Sequence, residues 1–295
     1  MTWAGLKRAL KCTYNGVQLN RTLQMAAALS YYLVLSIFPS LILFFAALAS
    51  LPFPNLYTRV FTLIFTLIPA QTVPMVESVL LDVLGTNHRA WLSFGTIGTA
   101  WIASSAFDAM IEALDVAYDV EDSRPFWKTR LLALGLAATS GGLLLSGLTV
   151  MILGPRFGLW LAAKVPATHQ FATLWPVFHW LAAITMALLA VELMYFLAPN
   201  VKQRFLATLP GAVLAVLCWI SFSYLLGFYF RNFANFSRTY GTLAGFIAFM
   251  TWFYWNSFAL LLGAELNAEL ARESVKGSLP AKKPSSVPQK FQRAA

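Results

Sequence analysis

"DAMIEALDVAYD", residues 108–119, follows directly on "WLSFGTIGTAWIASSAF", residues 91–107, and the reading of that junction decides the fold. Asp108, Glu112, Asp115 and Asp119 fall on one face of a helix, because steps of four, three and four follow the helical period. The stretch before them is as apolar as a membrane span. Either the span carries charge into lipid or it ends where the carboxylates begin.

Composition favours a membrane protein. The chain has 295 residues, 59% hydrophobic and 11% charged, against roughly 45–50% apolar and about 25% charged in soluble domains. Its net charge of +9, from 21 Lys and Arg against 12 Asp and Glu, reads as cytoplasmic-side topogenic charge and not as a nucleic-acid footprint. Cys12 and Cys218 are the only cysteines, one in a polar leader and one in an apolar run, so neither a disulfide framework nor a zinc site is expected.

The apolar stretch from Met25 to Leu51 exceeds the roughly 7–15 residues of a signal-peptide core and is long enough to span. The sequence predicts an all-α integral membrane protein with six spans, at about 25–50, 91–113, 130–153, 176–198, 208–230 and 241–264. Residues 1–24 form a basic leader, 25–272 the membrane domain and 273–295 a disordered basic tail. Pro39 in the first span is tolerable if neighbours satisfy the freed carbonyl.

Fifteen of the 21 basic residues lie in the leader, the second-to-third link, the fourth-to-fifth link and the tail. The positive-inside rule therefore places both termini in the cytoplasm, and a chain with both ends inside requires an even number of spans. Between the first two spans, "LYTRVFTLIFTLI" at 56–68 is too short to cross. After Pro74, Val76, Val79, Leu80, Val83 and Leu84 share one face, as in an extracytoplasmic amphipathic helix lying at the interface. The polar stretch 231–242 is expected to cap the fifth and sixth spans, with contact to an extracytoplasmic ligand as the alternative. "GTLAG" at 241–245 and the small residues Ala138, Gly142 and Ser146 offer close helix contact within the bundle.

This orientation locates the carboxylates. Asp108 comes about 18 residues, or roughly 27 Å, after the outer end of its span, near the cytoplasmic interface. Glu112 sits at the border, and Asp115 and Asp119 ride on an exposed extension. Glu192 lies roughly 12 Å from the cytoplasmic end of the fourth span. Glu265 and Glu269, exposed at its end, close the sixth. Helix C-termini disfavour anions by ~0.3–1 kcal/mol, and a lone charge at the bilayer centre costs ~2.5–3.5 kcal/mol or more. The acids should therefore turn inward and meet Arg21, Arg130, Lys202 and Arg204, with Gln24, Tyr31, Tyr32 and Asn267 as neutral partners. The resulting polar layer is either a cytoplasm-facing vestibule, for a substrate or a proton relay, or a set of inter-helix locks.

Enzyme chemistry has little support. His88, His169 and His179 fall towards the outer side, none in a ligand spacing, and there is no Walker A, GxSxG or strand-linked GxGxxG motif. No catalytic residue, metal or cofactor is expected.

"AAALSYYLVLSIFPSLILF", "DAMIEALDVAYDVEDSRPFWKTRLLAL", "FLAPNVKQRFLATLPGAVLA" and "NFANFSRTYGTLAGFIAFMTWFYWNSFALLLGAELNAEL" resemble, in this order, the signature blocks of the YihY/BrkB family of bacterial inner-membrane proteins. The resemblance covers about residues 20–272 and implies six spans. It also implies that the label "ribonuclease BN", once given to many members, is a misassignment. One branch is named for serum resistance, and some members are linked to export of lipopolysaccharide precursors. The family has no agreed catalytic residues to carry over. The expectation is a transporter-like inner-membrane protein handling envelope lipid or a lipid-linked anion, with membrane lipids as partners and no nucleic acid. The alternative is a non-transporting envelope scaffold; an RNA-processing enzyme is disfavoured.

Overall fold

A computed structural model describes residues 3–50, 98–164, 169–232 and 243–274. Every regular element among them is an α-helix: α1 Trp3–Leu19, α2 Thr22–Ser50, α3 Ser105–Ala117, α4 Phe126–Lys164, α5 His169–Leu197, α6 Phe205–Asn232 and α7 Leu243–Ser274. The amphipathic segment expected at 52–90, most of the cap at 231–242 and the tail beyond Ser274 lie outside the described residues.

Among the described residues, four stretches are long and apolar enough to cross a membrane: Phe126–Met151, Leu174–Leu197, Phe205–Phe230 and Gly245–Glu273. They coincide with the expected third to sixth spans. At the expected first span α2 runs unbroken through Pro39, and of the second only the part from residue 98 onward is described. The spanning helices carry large apolar side chains on their outer faces, including Leu131, Leu148, Leu181 and Leu217. Their buried positions are mostly small: Ala133, Ala187, Ala190, Ala212, Ala215, Ala259 and Ala264. That inversion suits lipid, where helices associate by close approach and not by expelling water.

The chain divides into two compact units, residues 1–31 with 107–295, and residues 32–106. The described part of the second is the remainder of α2 and a helical stretch from residue 98 into α3. Within it, Ser36 returns its hydroxyl to Leu33 O and Ser104 to Trp101 O, so these polar side chains are satisfied inside their own helices.

In the first unit α4 packs on α5, α5 on α6, α6 on α7, and α1 along α7. The basic leader is thus largely a helix docked by Thr13 and Val17, both buried. The α4 face that meets α5 carries Ala133, Ser140, Gly147 and Gly154 at intervals of seven, then Gly158. Ser140 donates to Ala190 O at 3.1 Å, and a Cβ at Gly147 would sit 3.3 Å from Ala183 O. At Gly158 a Cβ would overlap the Trp175 indole, whose Nε1 donates to Gly154 O at 2.6 Å. His179 is buried on this seam as packing. Ala138, Gly142 and Ser146, expected to offer close helix contact within the bundle, point away from α5: Ser146 is exposed, and a Cβ on Gly142 would meet nothing within 4 Å. A sevenfold repeat keeps a left-handed seam in register, whereas steps of four drift off it.

Candidate functional site

The end of α3 is set by its own backbone. Asp119 takes a positive φ of 55°, while Val120 N donates to Asp115 O at 2.9 Å and Asp119 N to Val116 O at 3.1 Å. This is a Schellman closure with aspartate where glycine is usual. The chain then turns back, and Arg124 reaches over the helix end it has just left.

Asp115 is only 4% exposed. Its Oδ1 accepts from Asn200 N at 2.8 Å, and its Oδ2 lies 3.4 Å from Arg124 Nη2. Arg124 also donates to Ala198 O at 2.8 Å and to Asp122 at 2.7 Å, stitching the link after α3 to the link after α5. Burial pushes the Asp115 pKa from 3.8 to about 6, against the lowering by the Asn200 amide and Arg124. Burial pushes Asp122 upward too, but donors from Arg124 and Thr129 outweigh it and hold that carboxyl below its ordinary value. Asp119 and Glu269 share Arg272, with Glu269 Oε1 at 2.5 Å. Asp108 lies 3.5 Å from buried Arg130.

Deeper, Glu265 accepts from Asn20 Nδ2 at 2.6 Å and faces Thr22 Oγ1 at 3.4 Å, tying α7 to the α1–α2 junction. The crevice around them, lined also by Met25, Val116 and Leu261, has no room for a water molecule. Glu192 is 1% exposed, with Oε1 2.6 Å from Thr208 Oγ1. Just beyond, beside Pro210, Asn267 ties α7 to the α6 backbone: Gly211 N donates to Asn267 Oδ1 at 2.8 Å, and Asn267 Nδ2 donates to Thr208 O at 2.7 Å. The amide fits because Gly211 and Gly263 let the backbones nearly touch; a Cβ on either would run into the other's carbonyl oxygen. Tyr195 donates to Leu260 O, and Gln203 to Tyr195 O.

Of the acids near the ends of α3, α5 and α7, Asp115, Glu192, Glu265 and Glu269 are buried, while Glu112 and Asp119 are exposed. Asp115 and Glu269, expected exposed, are faced by Arg124 in the link after α3 and by Arg272 one turn further along α7. The cations also differ. Of the four expected partners only Arg130 makes an ion pair among the described residues; Arg21, Lys202 and Arg204 are exposed. Arg124 and Arg272 take their place, nine residues after Asp115 and three after Glu269, where little chain has to be ordered to bring the charges together. Glu112 is exposed, as are Gln24, Tyr31 and Tyr32. Thr208 and Tyr195 had no sequence signal beyond being polar in an apolar context, and Asn20 none within a polar leader. Arg272 had one, its i,i+3 spacing from Glu269. Among the described residues no three His, Cys, Asp or Glu side chains gather as a metal site.

Comparison with known proteins gives a consistent picture. The chain is 34% identical over 261 residues to the ribonuclease-like protein YfkH of Bacillus subtilis (strain 168), a provisional name, covering 88% of this chain and 94% of that one. It is 26% identical over 264 residues to a UPF0761 membrane protein of Xanthomonas oryzae pv. oryzae (strain PXO99A), covering 85% of this chain but 58% of that longer protein. A UPF0761 membrane protein of Xanthomonas campestris pv. campestris (strain B100) matches to the same extent. No solved structure matches. The family profile described as Virulence factor BrkB matches residues 13–287, nearly the whole chain, and this membrane protein belongs to that family.

Proposed function

We propose that the protein is a six-span, transporter-like protein of the bacterial inner membrane, with both termini in the cytoplasm. It moves an envelope lipid or lipid-linked anion and is not an enzyme. The observation that carries this reading is how the cations divide. Arg124, Arg130 and Arg272 are engaged by acids, whereas Arg21, Lys202 and Arg204 are exposed and make no ion pair among the described residues. Arg21 immediately precedes α2 and Arg204 immediately precedes α6, so each adds charge to a helix N-terminus, which already favours anions. Phosphate-bearing lipid headgroups suit such a set.

The test is movement of labelled lipids across proteoliposome membranes. Transport should slow several-fold when Arg21, Lys202 and Arg204 are all replaced by alanine, and absence of protein-dependent movement for every lipid class would refute the reading. A scaffold role is the second reading, supported by the tightly closed crevice at Glu265. It predicts that the triple variant still complements a deletion strain. RNA processing, which the name of the Bacillus relative brings up, predicts metal-dependent RNA cleavage by the purified protein.

A further inference from the structure

Thr208 Oγ1 lies 2.6 Å from Glu192 Oε1 and 2.7 Å from Phe205 O. A hydroxyl owns one hydrogen, a backbone carbonyl can only accept, and an ionised carboxylate can only accept. With Glu192 ionised, one of these two short O···O contacts would have no hydrogen in it. A proton on Glu192 resolves the count: the carboxylic acid donates to Thr208, and Thr208 donates to Phe205 O.

The surroundings agree. Glu192 Oε2 has no hydrogen-bond partner among the described residues. The groups facing the site are uncharged: Tyr195 on α5, Tyr118 after α3, Thr208 and, beside Tyr195, Cys218 on α6, and Asn267 on α7. Among the described residues no arginine or lysine forms an ion pair with it, unlike Asp115, Asp119 and Glu269.

We propose that Glu192 is the proton-binding site of the membrane domain, neutral while α5 and α6 are closed and releasing its proton to water when they part. Resting on the transport reading above, this makes the driving ion a proton. The release is a simple dissociation, leaving carboxylate on Glu192 and a proton in solvent.

Infrared spectra of the full-length protein in lipid test it directly. The difference between wild type and Glu192→Gln at neutral pH should contain the C=O stretch of a protonated carboxylic acid, downshifted in D2O and lost at alkaline pH. Thr208→Val should move that band, since it removes the acceptor. Loss of carboxylate bands instead would mean that Glu192 is ionised and would overturn the proposal. The readout needs no transport, so a protein that moves no lipid yet shows the band would sink the transport reading alone. In proteoliposomes that do move lipid, an imposed pH gradient should change the rate several-fold in wild type and not in Glu192→Gln; equal responses would overturn the coupling.

Discussion

Asp115 shows what a single residue's surroundings do to its chemistry. Its carboxyl is enclosed by the chain turning back after α3, and burial lifts its pKa from 3.8 to about 6. Between those values the folded protein holds a proton that the unfolded chain has released. Stability should therefore fall as pH rises through that window and level off above it. At about 1.4 kcal/mol per pH unit of displacement, the effect is on the order of 3 kcal/mol. Melting temperatures of the detergent-solubilised protein from pH 4 to 7 should show this decline in wild type and a much flatter profile in Asp115→Asn. An unchanged profile would mean that the aspartate titrates as an exposed group. The helical period placed Asp115 on one face with Asp108, Glu112 and Asp119, and that much was legible. Its burial was not, because enclosure depends on a Schellman turn built on Asp119 and on where Arg124 lands, neither of which periodicity encodes.

At the scale of the element, the third to fifth spans were legible to within a few residues because twenty apolar residues in a row have few other uses. Facing was not. Helix α4 carries two stripes of small residues, and hydropathy cannot say which one meets protein, since lipid is as apolar as a packed leucine. The answer lies on α5, where Ala183, Ala190, His179 and Trp175 complement the sevenfold stripe. Two substitutions separate the stripes. Gly147→Leu forces a side chain against the α5 backbone and should cost ~1–3 kcal/mol or more by overpacking. Gly142→Leu enters open space and should be neutral or stabilising, since glycine costs ~0.8–1.0 kcal/mol relative to alanine inside a helix. Thermal unfolding of the two variants side by side checks this, and equal destabilisation would contradict the observed facing.

For the whole molecule, the contacts fix an alternation that charge counting alone could only anticipate. Asp108 near the end of the second expected span meets Arg130 near the start of the third. Glu192, towards the end of the fourth, meets Thr208 at the start of the fifth, and Glu265 near the end of the sixth meets Thr22 at the start of the first. Ends of one set and starts of the other therefore share a level. Basic residues crowd the same ends, so the positive-inside rule predicts that this level faces the cytoplasm. The scarcity of cysteine makes this testable: with Cys218→Ala, native Cys12 reports on the N-terminus. In a background also lacking Cys12, Ser285→Cys reports on the tail and Ser237→Cys on the link between the last two spans. A membrane-impermeant maleimide applied to intact spheroplasts should label only the Ser237→Cys protein. Cys12 and Ser285→Cys should react only after the membrane is opened. Labelling of the tail from outside would invert the topology and put the exposed Arg21, Lys202 and Arg204 on the far face, where the abundant anionic lipid of the cytoplasmic leaflet could not reach them.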